Sequence, residues 1–459
     1  MRTFGKLALT LGAALAAGCA TPPERYRAAA ADPELLHGAV ETATSAMMVS
    51  ITSPPVSSRT YAYSSIAAYE AMRPGWPRYQ TLAGRVNGLS PVPAPEPGKE
   101  ILYGIAGTNA FLTVAEKLVF DPELIAAYRD SVARAMRKRG VPRDVLERSL
   151  AYGDRVARHV LAWAGEDGIK AARAEPRLTI RREPGLWIPT APAYMDAVEP
   201  NWGTLRPFVL ASPGQAAAPP PAPYDVRAGS GFRRLVDEVY RVRRTLTPEQ
   251  QQVAGFWDCN PYAVQSRGHM VFSTKKISPG GHWLLVTRVA LRQTHAGLER
   301  SAEAYAKVSM ALADGFISAW SEKFRSVRVR PVTVITETVD PQWKPLLQTP
   351  PFPEYPSGHS VVSVAAAEVL TDLFGDGFAY TDDTEARFGI APRRFASFRQ
   401  AADEAAISRL YGGIHFRDAI EGGKVMGRAV GDAVLSRART RPAALASAHP
   451  AERGAQARQ

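Results

Sequence analysis

Three short segments in the C-terminal half of the chain carry basic and hydroxyl side chains at close spacing. Six residues separate Lys323 from Arg330, five separate Arg409 from His415, and residues 356–359 read Pro-Ser-Gly-His. A tetrahedral oxyanion spreads negative charge over several oxygens, so it is best held by cationic and N–H donors from several directions. The candidate set for such a site is Lys323, Arg330, Ser357, Gly358, His359, Arg409 and His415.

Each segment also has a purely structural interpretation. The first could be a solvated helix end, because Lys323, Arg325, Arg328 and Arg330 stand close together. Ser357 could be the N-cap of a helix. The segment from Arg409 to His415 could lie on the exposed face of an amphipathic helix. The combination of all three, in this order, favours a site.

The three segments resemble the signature of the vanadium haloperoxidase and type 2 phosphatidic acid phosphatase superfamily. This resemblance covers the chain from about residue 231 to 438 and implies an all-α fold in which a helical bundle holds the oxyanion. For the haloperoxidase branch it also implies vanadate as the cofactor. Hydrogen peroxide and a halide, bromide or chloride, would then be the small-molecule substrates.

The resemblance also implies a role for each residue that would surround the anion. Lys323, Arg330 and Arg409 would neutralise its equatorial oxygens, while Ser357 and the Gly358 N–H group would donate hydrogen bonds to them. Helix N-termini suit this task because they present unpaired N–H groups and positive partial charge.

The two histidines would divide the remaining chemistry. The resemblance implies that His415 bonds the central atom and that His359 is the general acid or base. Trp320, three residues before Lys323, and Phe352, five before Ser357, are placed as in vanadium chloroperoxidases, where two such aromatics line the halide side of the pocket. They could equally be core packing.

The residues that would orient this set are less certain from the sequence. Asp258, in a Phe-Trp-Asp-Cys-Asn segment, could orient Arg409. The superfamily usually has an aspartate four residues after the second histidine, but here Asp418 stands only three after His415. The partner that fixes this imidazole could be Asp418, Glu421 or a backbone carbonyl.

Three functions therefore remain open at this stage. The leading one is vanadium-dependent halide oxidation. A soluble acid phosphatase would use His415 as the nucleophile and His359 as the general acid on a phosphoester. A surface-anchored protein that binds an oxyanion without turnover is the third.

Composition and the N-terminus indicate an exported protein. The formal net charge is +12, yet the chain has no run of five basic residues, so we expect no nucleic-acid partner. Residues 1–18 resemble a bacterial lipoprotein signal, with Cys19 as the lipid acceptor and 19–32 as a tether. We expect a periplasmic protein whose only membrane attachment is this lipid, anchored in the outer membrane.

Periodicity and punctuation predict a mostly helical chain. We expect an N-terminal helical region at 33–168, a proline-rich connector at 169–230 that packs through its aromatics, a catalytic helical domain at 231–440 and a disordered tail at 441–459. The predicted helices cover 34–51, 55–72, 98–120, 122–139, 142–166, 232–244, 280–298, 299–326, 358–374, 397–414 and 417–438, with a capping box at 247–250.

Overall fold

The computed structural model of the chain describes residues 22–267, 270–273 and 275–442. The all-α prediction is confirmed, because fifteen α-helices dominate the described residues. They are α1 (Pro22–Ala30), α2 (Glu34–Val49), α3 (Pro54–Met72), α4 (Tyr103–Leu118), α5 (Glu123–Lys138), α6 (Arg143–Ala164), α7 (Ile169–Ala174), α8 (Gly231–Arg244), α9 (Pro248–Phe256), α10 (Pro279–Gln293), α11 (Leu298–Ser326), α12 (Pro331–Thr338), α13 (Gly358–Phe374), α14 (Phe398–Tyr411) and α15 (Arg417–Arg437).

Hydroxyl caps and prolines set where many of these helices begin. Thr247 accepts from the Gln250 N–H at 3.2 Å, and the Gln250 side chain accepts from the Thr247 N–H at 3.0 Å, which completes the predicted capping box before α9. Ser278 and Ser397 cap α10 and α14 in the same manner. Proline occupies the first turn of α3, α9, α10 and α12, where its missing N–H costs nothing.

The long helix α11 is the centre of the molecule. It packs against α3 of the N-terminal region and against α10, α13 and α15 of the C-terminal region. One continuous apolar core includes residues from both regions, for example Ile66 and Phe111 beside Leu312 and Val362. The boundaries at 168, 230 and 440 stay predictions, since this core runs across the first two.

The proline-rich connector lies on this helical body, as expected from its aromatics. Trp187, Trp202 and Phe208 are buried, whereas Tyr194 is exposed. Asp314 of α11 accepts hydrogen bonds from three successive backbone N–H groups at 208–210, at 2.6 to 3.0 Å. Buried carboxylate bonds of this kind replace the regular backbone pairing that proline prevents.

The structure differs from the sequence-based expectations in several short elements. Residues 22–30 of the predicted tether form α1, because Tyr26 packs in a small apolar cluster with α4 to α6. Residues 98–102 precede α4 as a loop, in which the Leu102 N–H donates to Ser149 Oγ at 2.9 Å. The short helices α7 and α12 were not predicted. Two small hairpins also occur, β1 (Val264–Arg267) with β2 (Met270–Ser273) and β3 (Tyr380–Asp382) with β4 (Arg393–Phe395).

The predicted lipid-acceptor Cys19 and most of the predicted tail lie outside the described residues. Among the helices that are described, none combines the length and the apolar character needed to cross a membrane.

Candidate functional site

A pocket at the C-terminal side of α11 is lined by residues of two of the three segments, whereas Lys323, Arg330 and Ser357 are not among its lining residues. Its cavity volume is about 30 Å³. Both predicted catalytic histidines, His359 and His415, line it, as do Gly358 and Arg409. His359 lies in the first turn of α13, whereas Arg409 lies near the end of α14 and His415 in the turn before α15. Residues 56 positions apart in sequence thus face one cavity.

The cations of the site are buried, which excludes their interpretation as solvated surface residues. Lys323 and Arg330 are 0% exposed, Arg409 is 1% exposed and His415 is 3% exposed. Buried charges are retained only where hydrogen bonds or counter-charges hold them. The partners of each cation therefore show what the site is built to do.

Lys323 fastens the loop that precedes α13. Its Nζ donates to the carbonyls of Pro353 and Glu354 at 2.9 and 3.1 Å and to that of Pro356. These three acceptors take all three protons of the ammonium group. Burial, followed by the charge of Arg330, holds the pKa of Lys323 well below its usual range. Lys323 thus shapes the loop directly, and its predicted contact with anion oxygens stays a prediction.

Glu354 determines how His415 faces the pocket. Glu354 Oε1 lies 2.9 Å from His415 Nδ1 and also accepts the Phe416 N–H at 2.9 Å. A carboxylate at Nδ1 favours the tautomer that carries its proton there, which leaves the lone pair on Nε2. Arg330 Nη1 lies 3.2 Å from that Nε2 and donates to the Ile414 carbonyl at 2.8 Å.

Arg409 and His359 share a support on the opposite side of the pocket. Arg409 Nη2 donates to the Trp257 carbonyl at 2.7 Å, and Nε donates to Ser408 Oγ at 3.0 Å. Burial and then the charges of Arg409 and His415 hold the pKa of His359 well below its usual range, against a hydrogen bond to the Trp257 backbone. His359 is therefore neutral at ordinary pH before any anion binds.

Ser357 and Gly358 form the start of α13. Ser357 is the N-cap, and its Oγ accepts from the Ser360 N–H at 3.3 Å, so the structural interpretation of this serine is confirmed. A Cβ added at Gly358 would lie 3.6 Å from Trp320 and 4.0 Å from Lys323. Because Gly358 lines the pocket, that methyl group would occupy space that an anion could otherwise use.

The predicted orienting carboxylates are placed differently from the expectation. Asp258 forms an ion pair with Lys276, and Arg409 is held instead by a backbone carbonyl. Asp418 accepts from Arg328 at 2.8 Å and from the Ala222 N–H at 3.0 Å, so it does not hold the His415 ring. Neither aspartate contacts the residue that it was predicted to orient, so both predictions were wrong.

Physical reasons account for both corrections. The shift of the second aspartate by one position turns it about 100° around the helix, away from His415 and toward Arg328. The alternative Glu421 lies 3.6 Å from Lys424 on α15 and is also not the partner of His415. Burial lowers the pKa of the Arg409 guanidinium. Asp258 makes no hydrogen bond with Arg409, and its negative charge only partly opposes this lowering.

Sequence reasoning missed Glu354 and Arg328. Arg328 Nη1 lies 3.2 Å from Glu354 Oε2, so it holds the carboxylate that holds His415. A signal was present, because Glu354 is the one acidic residue in the proline-rich stretch 350–356 that leads to the Ser-Gly-His segment. A fully buried carboxylate among prolines requires basic partners.

The two aromatics singled out in the sequence stand together at the pocket. Trp320 and Phe352 both line it, with ring centroids 4.9 Å apart. Lys323 Nζ lies 5.2 Å from the Phe352 ring, and the Arg330 guanidinium lies 5.1 Å from the same ring. The Trp320 indole N–H donates to the Val198 carbonyl at 3.1 Å, which fixes this wall to the connector.

The donor set of the pocket fits a bound oxyanion such as vanadate. Arg330 Nη2 and His359 Nε2 are buried and have no hydrogen-bond partner among the described residues. Burial lowers the pKa of Arg330 to about 9, so this guanidinium stays charged at neutral pH. Such unused polar atoms and uncompensated positive charge are costly unless a ligand meets them. His415 Nε2, with Arg330 and Arg409 around it, would hold the group.

Comparisons with known proteins agree with this geometry. Residues 303–442 match the family model described as the second helical-bundle domain of VCPO. A crystal structure described as the first bacterial vanadium-dependent iodoperoxidase is 43% identical, with a TM-score of 0.85, over 90% of this chain and 98% of that one. Among curated proteins, none matches the sequence significantly.

More distant solved structures share the fold. The apo and holo forms of a bacterial vanadium-dependent chloroperoxidase are each 17% identical over 84% of this chain, with TM-scores of 0.64 and 0.61. The aligned regions cover 94% of the apo chain and 92% of the holo chain. From its match over nearly its whole length to the 43% identical iodoperoxidase, the chain belongs to the vanadium haloperoxidase family.

Proposed function

We propose that this protein binds vanadate through His415 and uses hydrogen peroxide to oxidise a halide. The observation that carries the proposal is that His359, Arg409 and His415 line one pocket, while Arg330 Nη1 lies 3.2 Å from His415 Nε2. The reaction consumes peroxide, a halide ion and a proton, and it yields hypohalous acid and water. The phosphatase and the non-catalytic binding protein are not favoured by the family membership.

Each residue has a separate task in this proposal. Bound vanadate supplies the Lewis-acidic centre at which peroxide becomes reactive toward halide. His415, kept in one tautomer by Glu354, offers the Nε2 lone pair, and Arg330 and Arg409 balance the anionic charge. His359 has an Nε2 without a partner among the described residues, and this atom would give or take a proton as general acid or base.

We propose iodide as the preferred halide. The support is the 43% identity with a protein described as an iodoperoxidase, compared with 17% for the chloroperoxidases. Iodide also gives up electrons more readily than bromide or chloride, so it places the smallest demand on the site. The earlier expectation of bromide or chloride stays a prediction that the same assay tests.

The test is a halide series with purified protein, vanadate and peroxide. We expect iodide oxidation to exceed bromide oxidation by about tenfold or more in kcat/KM, which corresponds to about 1.4 kcal/mol in the barrier. Chloride should be oxidised most slowly. Equal rates for bromide and iodide, or faster bromide oxidation, would contradict the iodide assignment and leave the vanadate assignment to be judged separately.

Replacement of Glu354 by glutamine should weaken vanadate binding about 10-fold to 100-fold, because loss of such an orienting partner usually costs that much metal affinity. Glutamine can donate to His415 Nδ1 and so favours the wrong tautomer. Glu303→Gln is the matched control, since Glu303 is also a fully buried glutamate but pairs with Arg300 and Arg441 and not with His415. The dissociation constant of vanadate, measured by equilibrium dialysis, should change more in the first variant. An equal change in both would contradict the assigned role of Glu354.

Truncation of the aromatic wall should affect halide oxidation more than vanadate binding. Phe352→Ala opens the pocket beside Lys323 and Arg330 to water, so we expect kcat/KM for the halide to fall about tenfold. Phe378→Ala removes a half-buried ring outside the pocket and is the control. If Phe352→Ala oxidises halide at the parental rate, this ring is packing only. The vanadate dissociation constant should stay within about twofold.

We further propose that the protein is exported and attached to a membrane by a lipid on Cys19. The support is the basic and apolar N-terminus that leads to Leu-Ala-Ala-Gly-Cys at 15–19. In a bacterial host the parent chain should be recovered with the outer-membrane fraction and Cys19→Ser with the soluble periplasmic fraction. Recovery of the parent chain in the soluble fraction would contradict the anchor.

A further inference from the structure

A second cluster of metal-ligating side chains lies beside the pocket and has no part in the chemistry described so far. Cys259 follows α9, His282 lies in the first turn of α10, and Glu385 lies after β3. All three are buried, with exposed fractions of 3%, 0% and 4%. One ligand atom from each, the Cys259 sulfur, a His282 nitrogen and a Glu385 oxygen, lies within 4.8 Å of both others.

The separations of these atoms suit a small tetrahedral ion. His282 Nδ1 lies 3.5 Å from Cys259 Sγ and 3.5 Å from Glu385 Oε1. A zinc ion bonds sulfur at about 2.3 Å and nitrogen or oxygen at about 2.0 to 2.1 Å, so two of its tetrahedral ligands stand roughly 3.3 to 3.6 Å apart. The two separations that involve His282 Nδ1 already match this value. The third separation, between Cys259 Sγ and the Glu385 oxygen, needs at most a modest movement of the Glu385 side chain.

The opposite nitrogen of His282 is held as a metal-bound imidazole requires. His282 Nε2 lies 2.8 Å from Asp382 Oδ2, while Asp382 Oδ1 accepts from the Thr384 N–H at 3.0 Å and from the Thr384 hydroxyl at 2.7 Å. A carboxylate on the far ring nitrogen fixes the tautomer and makes Nδ1 the ligand atom. With an ion bound, this contact would direct the Nδ1 lone pair toward Cys259 and Glu385.

Glu385 supplies an independent sign of a missing ligand. Its Oε1 is buried and accepts no hydrogen bond from any residue that the structure describes. A buried carboxyl oxygen without a hydrogen-bond donor is costly inside a protein. A cation between Glu385, His282 and Cys259 would satisfy it.

We propose that Cys259, His282 and Glu385 bind a zinc ion, with Asp382 orienting His282. On binding, the Cys259 thiol loses its proton to solvent and the thiolate forms the sulfur–zinc bond, without any change of oxidation state. The mixed sulfur, nitrogen and oxygen donors are those that zinc accepts. Cys259 also lines the vanadate pocket, which gives the ion a route of entry and space for water as a fourth ligand.

The proposed ion would stabilise the segment that positions Arg409 in the vanadate site. The His282 ring stacks on Trp257, with centroids 4.7 Å apart and planes at 19°. The Trp257 carbonyl accepts from Arg409 at 2.7 Å. Zinc would therefore tie the 257–259 segment to α10 and to the loop after β3, and it would hold the carbonyl on which Arg409 depends.

The test is zinc content after dialysis of the vanadate-loaded protein against zinc and removal of free metal. Vanadate occupies His415, so zinc held by the catalytic histidines does not contribute. The parent chain should retain about one zinc per chain, and Cys259→Ser and Glu385→Gln about one fifth of that or less. Asp382→Asn should weaken zinc binding about 10-fold to 100-fold. Glu249→Gln, an exposed carboxylate, should leave the content unchanged.

Cobalt substitution tests the ligand set in the parent chain, so the proposal does not depend on whether a variant folds. Cobalt at this site should give a sulfur-to-metal charge-transfer band, because Cys259 is the only cysteine besides Cys19. Zinc should displace that band with a stoichiometry of about one. Less than about one fifth of a zinc per parent chain, or no charge-transfer band, would overturn the proposal. Full zinc retention by Cys259→Ser would also overturn it.

Discussion

Alanine in place of His415 is expected to abolish vanadate binding and, with it, halide oxidation. Arg330 Nη1 lies 3.2 Å from His415 Nε2, the ring nitrogen proposed to hold vanadate, while Glu354 holds the other nitrogen. Alanine removes the only covalent attachment that the proposal gives to vanadium. The remaining cations provide only charge and hydrogen bonds, an attachment too weak to retain vanadate at the same concentration.

Thermal unfolding gives a direct measurement of this loss. A ligand that binds only the native state at 100 times its dissociation constant stabilises it by about 2.7 kcal/mol. The parent protein should show this stabilisation with vanadate, and His415→Ala should show none at the same concentration. His159→Ala is the control, because His159 contacts Ser90 far from the pocket. Vanadate stabilisation that survives in His415→Ala would remove the assignment.

Alanine in place of His359 should separate turnover from binding. The Nε2 atom of His359 is buried at the pocket without a partner among the described residues, and the ring lies outside the Glu354 and Arg330 network that presents His415. We expect kcat to fall by about 10² to 10⁴, the usual contribution of a general acid or base. The vanadium content should stay near that of the parent.

Two measurements decide whether His359 has this role. Vanadium analysis after gel filtration should give the same stoichiometry for His359→Ala and the parent chain, while stopped assays of halide oxidation should differ. A parental kcat in His359→Ala would show that this residue moves no proton in the slow step. Loss of vanadium from His359→Ala would instead make it an attachment residue and contradict the division of roles.

The helices and the composition of the site could be predicted from the sequence because their signals are local. Caps such as Thr247 and Ser357, and prolines in first turns, mark helix starts within a residue or two. The end of α14 was predicted less well, because the helix was expected to run to 414 and ends at Tyr411, before Gly413 with φ +72. The basic and histidine residues of the site were recognised from their order and spacing.

The supporting contacts could not be predicted because they join residues far apart in the chain. Glu354 reaches His415 across 61 positions, and the Trp257 carbonyl reaches Arg409 across 152. Neither periodicity nor a motif determines which carboxylate or carbonyl meets a buried cation, since packing of separate helices sets that geometry. Helix α12 was missed because its valines, isoleucine and threonines have low helix propensity.

A titration of metal-free protein with vanadate tests the central claim most directly. Halide oxidation by peroxide should rise from zero and saturate when about one vanadium is bound per chain, and phosphate should compete because it shares the tetrahedral shape and charge. The same protein should hydrolyse phosphomonoesters at a negligible rate. An absence of halide oxidation at every vanadate concentration, together with phosphate trapped on His415 in a quenched phosphoester assay, would contradict the account.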